Sequence, residues 1–142
     1  MTTTSERQST AQRQRPAWLW FLFVCDAGLM IASGIIHFHL WEMPGGYRYV
    51  KTLDWLFLVQ VIAAVLLAIT LLITRHLIVV AASLLLMAGT IVGFILADTV
   101  GIFGFKLPHV TGLADTVLVI EMAAVVLLAI TGWLLATRYR RS

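Results

Sequence analysis

The sequence predicts an all-α integral membrane protein, a bundle of four transmembrane helices built from two tandem helical hairpins. Three observations carry this. The chain has 142 residues, of which 61% are hydrophobic and 12% charged, where a soluble domain is about half apolar. Its apolar residues gather in four stretches, at about 17–40, 54–74, 76–97 and 113–136. Each is long enough, at about 1.5 Å per residue, to cross roughly 30 Å of hydrocarbon. Finally, the second and fourth stretches repeat one another at an offset of 61 residues.

The first helix follows a flexible basic tail, residues 1–16, carrying Arg7, Arg13 and Arg15. Pro16 suits a first helical turn, where its missing N–H costs nothing. The apolar run extends well past the roughly 7–15 residues of a signal-peptide core and contains Asp26, which favours a retained anchor. Its lone thiol, Cys25, excludes an intramolecular disulfide and any multi-cysteine metal motif. The second helix opens at Asp54 after a Pro44-Gly45-Gly46 turn signal and the aromatic Tyr47 and Tyr49. Only Thr74, Arg75 and His76 separate it from the third, so those two helices must be antiparallel neighbours. A longer apolar loop, Val100 to Lys106, leads to the fourth helix, and a second basic tail closes the chain at 137–142.

The repeat aligns Asp54–Thr70 with Asp115–Thr131 without gaps, and eight of the seventeen positions are identical. Gln60 falls on Glu121, which predicts a duplicated hairpin with a polar position in each half and a parallel pseudo-two-fold axis along the membrane normal. Gly28 and Gly89 also correspond, predicting that the first and third helices cross closely there. Seven basic residues lie at the termini and the middle link, against Arg48, Lys51 and Lys106 on the other side. By the positive-inside rule both termini are cytoplasmic. The dispersed basic charge forms no stripe for nucleic acid.

Intramembrane polar groups mark the candidate chemistry, because a charged side chain at a helix centre costs at least ~2.5–3.5 kcal/mol. Gln60 and Glu121 fall at one depth, with Thr90 and Ser33 close to it. Two readings stand side by side: a structural layer in which a neutral Glu121 donates to Gln60, and a ligand contact or proton relay through Glu121. Asp26 breaks the repeat and faces either a partner or a hydroxyl such as Thr70 or Thr131.

A second constellation lies toward the outer ends: His37, His39, His109, Asp54, Asp98 and Asp115. Histidine with carboxylate suits a transition metal, and His37 with His109 is the one pair of histidines for a haem. The spacing matches no metal motif, since two residues apart on a helix is about 200° of rotation. Interfacial capping and ion pairing with Arg48 and Lys51 is the plainer account of these residues. Nothing resembles a nucleophile with its base, a nucleotide loop or a dinucleotide fingerprint.

The run His37-Phe38-His39-Leu40-Trp41, then Gly46-Tyr47-Arg48, Leu56 to Gln60, and Thr99 to Phe105 resembles a functionally uncharacterised group of small four-helix membrane proteins of actinobacteria. The resemblance covers most of the chain beyond the tail. It implies the four-helix architecture and a bacterial plasma membrane, and it brings no activity with it.

Two functions follow as expectations. The first is a non-catalytic accessory or structural subunit, lying in the bilayer against other membrane subunits or copies of itself. The alternative is an outer-face binding or transport protein for a small ligand (cation, quinone or haem), using Gln60, Glu121 and the outer His and Asp residues.

Overall fold

The structure, a computed structural model, describes residues 17–44, 46–101 and 112–140. Four helices make up nearly all of it: α1 (Ala17–Glu42), α2 (Leu53–Thr74), α3 (Leu77–Thr99) and α4 (Gly112–Tyr139). A 3-10 turn at Tyr47–Tyr49 lies between α1 and α2. The helices have 26, 22, 23 and 28 residues, so the shortest spans about 33 Å. All four are long and apolar enough to cross a membrane, and the chain is a multi-pass membrane protein. α4 continues through Thr137 to Tyr139, into the segment expected to be a tail.

The inward faces follow heptad-like spacing. On α4 the buried residues are Ala114, Val117, Glu121, Ala124, Leu128, Thr131 and Leu135, alternating steps of three and four. That is the seam of left-handed helix packing, which keeps one narrow stripe turned toward the neighbours. The outward faces are also apolar, with Leu85, Ile73, Ile78 and Trp133 prominently exposed. Such a surface suits lipid, and in lipid the buried stripe is distinguished by small and polar residues rather than by apolarity. Ala64, Ala68 and Ala124 are fully buried, as are the larger Phe23, Met30, Leu71, Met87 and Leu128.

The helices pack in a ring, each on its sequence neighbours, with α4 closing on α1. This leaves α1 and α3 on a diagonal, which corrects the crossing expected at Gly28 and Gly89. A Cβ built on either glycine meets nothing within 4 Å. Short antiparallel connections set consecutive helices side by side, so the close approaches fall elsewhere. At Gly34 a Cβ would lie 3.6 Å from the Ala64 Cβ, and at Gly132 it would lie 3.4 Å from Val80 Cγ1. Those are the α1–α2 and α3–α4 contacts.

The link between α2 and α3 is as tight as the sequence demands. Arg75 adopts the left-handed conformation (φ 50°, ψ 39°) and donates its N–H to the Leu71 carbonyl at 3.0 Å, while the extended His76 starts α3. This link shares one end of the bundle with the start of α1 and the close of α4, where the Arg138 guanidinium lies 5.3 Å from the centre of the Trp18 ring. The opposite end holds the last turns of α1 and α3 and the first turns of α2 and α4. There Trp41 Nε1 donates to Asp54 Oδ1 at 2.6 Å, tying the end of α1 to the start of α2.

Candidate functional site

The polar residues of the helices divide into two buried groups. Nearer the terminal end, the Thr131 hydroxyl donates to Asp26 Oδ2 at 2.7 Å. Asp26 is fully buried, and its other oxygen has no partner. The acid that the sequence offered to a neighbouring subunit therefore faces α4 inside the bundle. Thr70, the other hydroxyl considered for it, donates instead to the Leu66 carbonyl of its own helix.

The second group lies toward the hairpin end and is centred on Glu121, which is 1% exposed. The Ser33 hydroxyl donates to Glu121 Oε1 at 3.0 Å. The Thr90 hydroxyl also lies within hydrogen-bonding reach of the carboxyl, while donating its own proton to the Met87 carbonyl at 2.7 Å. His37 approaches from α1, with Nε2 at 3.7 Å from Glu121 Oε1. Ser33 and His37 stand one turn apart on the same face of α1, so the helix delivers both to one carboxyl.

The histidine's tautomer follows from its partners. His37 Nδ1 lies 2.9 Å from the Ser33 backbone carbonyl, which can only accept, so Nδ1 carries hydrogen. A second, longer branch reaches the Ser33 Oγ at 3.4 Å. Nε2 is then the atom whose protonation is open, and it faces a carboxyl oxygen. A bare lone pair against a carboxylate is repulsive, so one of the two groups carries a proton, and at 3.7 Å they stand too far apart to share it directly.

Gln60 does not complete this layer by bonding to Glu121, as the structural reading expected. It is 5% exposed, and its Nε2 has no hydrogen-bond partner. A buried amide donor left unpaired costs about 1–3 kcal/mol, and its surroundings show what it faces. Gln60, Glu121, Thr90 and His37 all line one cavity of about 400 Å3, within the roughly 300–1,000 Å3 of small-molecule sites.

The rest of the cavity is apolar. Its aromatic side is a run of rings: Tyr47 stacks on Phe57 at 4.4 Å between centroids, and Phe57 lies 5.3 Å from the His37 ring. Phe94 of α3 contributes another wall, and Gly89 and Gly93 of the same helix leave room that side chains would fill. The lining includes the exposed Leu56 and Val59 of α2 and Leu85 of α3. The cavity therefore opens on the flank of the bundle between these two helices.

No protein-family model, curated protein or solved structure matches the chain. The site stands on its own geometry.

Among the described residues the outer histidines and aspartates do not assemble into a cluster. His37 turns inward to Ser33 and Glu121, whereas His39 is exposed. Asp54 is held by Trp41, and Asp98 and Asp115 are exposed. His109 lies outside the described residues. Among the described residues no three His, Cys, Asp or Glu side chains converge as metal ligands. The sequence reading grouped His37 with the wrong carboxylates, and the four-residue step from Ser33 to His37 was the signal that would have moved it to the Glu121 layer.

Outside the membrane-spanning helices, burial in the cavity wall pushes the Tyr47 phenol above its usual range. Tyr47 and Phe57 were not singled out as site residues by the sequence. Their role depends on the chain folding back after Pro44, so that the turn following α1 lies against α2.

Proposed function

We propose that this protein binds a small lipid-dissolved molecule in the cavity between α2 and α3, holding its polar end against Gln60, Glu121 and His37. One observation carries the reading: an unpartnered, buried Gln60 amide lines a cavity that is otherwise almost wholly apolar. A ligand with one polar end and an apolar body satisfies both at once. A free cation finds few oxygens there, and a bis-histidine haem has no second histidine beside His37 among the described residues.

The accessory-subunit reading expects a face carrying Asp26 or the glycine stripe to meet a neighbour, and Asp26 bonds instead to Thr131 within the bundle, while Gly28 is exposed. It retains the exposed apolar faces, which lipid covers equally well.

The orientation that fits this function has both termini in the cytoplasm of a bacterial cell and the cavity in the outer half of the plasma membrane. It is supported by the seven basic residues on the terminal side. The matching segments Asp54–Thr70 of α2 and Asp115–Thr131 of α4 support an origin by duplication, after which the polar position diverged to Gln60 in one copy and Glu121 in the other.

The test is purification in mild detergent, with co-purifying small molecules quantified by mass spectrometry from wild type and Gly93→Leu. A Cβ at Gly93 meets nothing within 4 Å, so leucine there fills the cavity without pressing on the backbone. A lipid-soluble compound retained near one-to-one by the wild type and lost from the variant supports the proposal. Equal retention by both proteins, or a stoichiometric protein partner with no small molecule, overturns it.

A further inference from the structure

We infer that the polar end of the ligand is a carbonyl on a flat ring, and that the cavity takes the head of a lipid-soluble quinone. The inference rests on the binding reading above and specifies its ligand. Four features of the site carry it.

Gln60 lines the cavity and its amide Nε2 has no partner, so a ligand atom that satisfies this nitrogen must accept. A carbonyl oxygen does so, whereas an ammonium group or a bare hydrocarbon does not. The second polar element is the His37–Glu121 pair, 3.7 Å apart and so leaving a donor and an acceptor free for a ligand. Such a pair donates to a carbonyl in one arrangement and accepts from a hydroxyl in the other. The quinone and hydroquinone forms of one ring present these two faces, so both are held without leaving a buried group unsatisfied. A carboxylic acid ligand is disfavoured, since it would set a second carboxyl against Glu121 within an apolar enclosure.

Shape agrees with chemistry. Tyr47 and Phe57 stack on one another with an interplanar angle of 17° and both line the cavity, so they offer ring edges and an outer face to an aromatic head, the geometries such rings prefer. The opening lies beside the exposed Val59 and Leu85, where an alkyl or isoprenoid tail passes straight into the bilayer. The head is thus enclosed near the polar groups, while the tail needs no enclosure.

The experiment uses two probes with the same tail, decyl-benzoquinone and decylbenzene. Each is equilibrated with nanodiscs holding the full-length protein, with empty nanodiscs as the partition reference. Wild-type protein should bind the quinone about tenfold or more tightly than decylbenzene, as expected for a donor satisfied on binding. In Gln60→Met that preference should fall by about tenfold, with decylbenzene binding reporting that the cavity itself persists. Gly93→Leu should weaken both probes together. Equal binding of both probes to the wild type overturns the quinone assignment and leaves the cavity-binding function standing. Binding of neither overturns both. A quinone preference that survives in Gln60→Met with decylbenzene still bound also overturns the assignment, because the amide would then not be the recognising group.

Discussion

Thr131 reaches from α4 to Asp26 on α1 and donates its hydroxyl to one carboxyl oxygen at 2.7 Å, while the other oxygen has no partner. Both residues are fully buried. The bond joins the first and last helices of the chain and so closes the ring of four. Thr131→Val should destabilise the protein by about 1–3 kcal/mol, because Asp26 is then buried with no donor. Pairing that change with Asp26→Leu should recover most of the loss, since removing both partners of a buried polar pair is close to neutral. Denaturation of the wild type and these two variants in one detergent measures this. A Thr131→Val protein as stable as wild type would mean that the bond contributes nothing.

Glu121 supports a second test, in which fold and proton are separated. Glu121→Gln retains an oxygen to accept from Ser33, so its thermal stability should stay within about 1 kcal/mol of wild type. Glu121→Leu strands the Ser33 hydroxyl and should cost more. In both variants His37 should keep its proton on Nδ1, since the Ser33 carbonyl that holds it is backbone. Nitrogen NMR of labelled histidine reads the tautomer directly. The opposite tautomer in Glu121→Gln would show that the carboxyl sets the ring's state.

Gly46 is required by space, not by backbone conformation. Its φ of −72° is ordinary, but a Cβ there would lie 2.5 Å from the Leu40 carbonyl oxygen and 2.7 Å from that of Met43. Neither backbone atom can yield cheaply. Gly46→Ala should destabilise the turn by about 1–3 kcal/mol, as overpacking does. It should also displace Tyr47 from Phe57, seen as increased solvent quenching of tyrosine emission.

The Tyr47 phenol should ionise above the ordinary value of about 10, because burial disfavours the phenolate. The folded state thus prefers the neutral ring. Its contribution to stability is complete below the ordinary phenol value and is lost as pH rises through the higher folded value. Ultraviolet titration of a Tyr49→Phe, Tyr139→Phe protein isolates this transition. A midpoint at or below about 10 would contradict the burial of the ring.

The four helices were legible because hydrocarbon thickness imposes a length that few other structures share. Which faces turned inward was harder to read from apolarity, since Leu85 and Leu128 are the same residue on opposite sides of the wall. The polar residues carried that information. Asp26, Ser33, Gln60, Ser83, Glu121 and Thr131 are all buried, and each marks its helix's inner face. Equal depth alone did not reveal the partners. Gln60 and Glu121 correspond in the repeat, yet Glu121 bonds to Ser33 because α1 packs beside α4. The cavity arises from how α2 and α3 sit together, and no local pattern in either helix encodes it. Gly89 was visible as a small residue, but together with Gly93 it lines the cavity instead of meeting another helix.

Arg75 and His76 join α2 to α3 at the end of the bundle remote from the cavity, which makes the two helices a pair of tweezers. Gln60 lies about 22 Å along α2 from that pivot, so a swing of roughly 5° moves the tips by about 2 Å. The Ser33–Glu121 and Thr131–Asp26 bonds tie α1 to α4 across the far side of the ring, so the tips of α2 and α3 part only as far as those two buried bonds give.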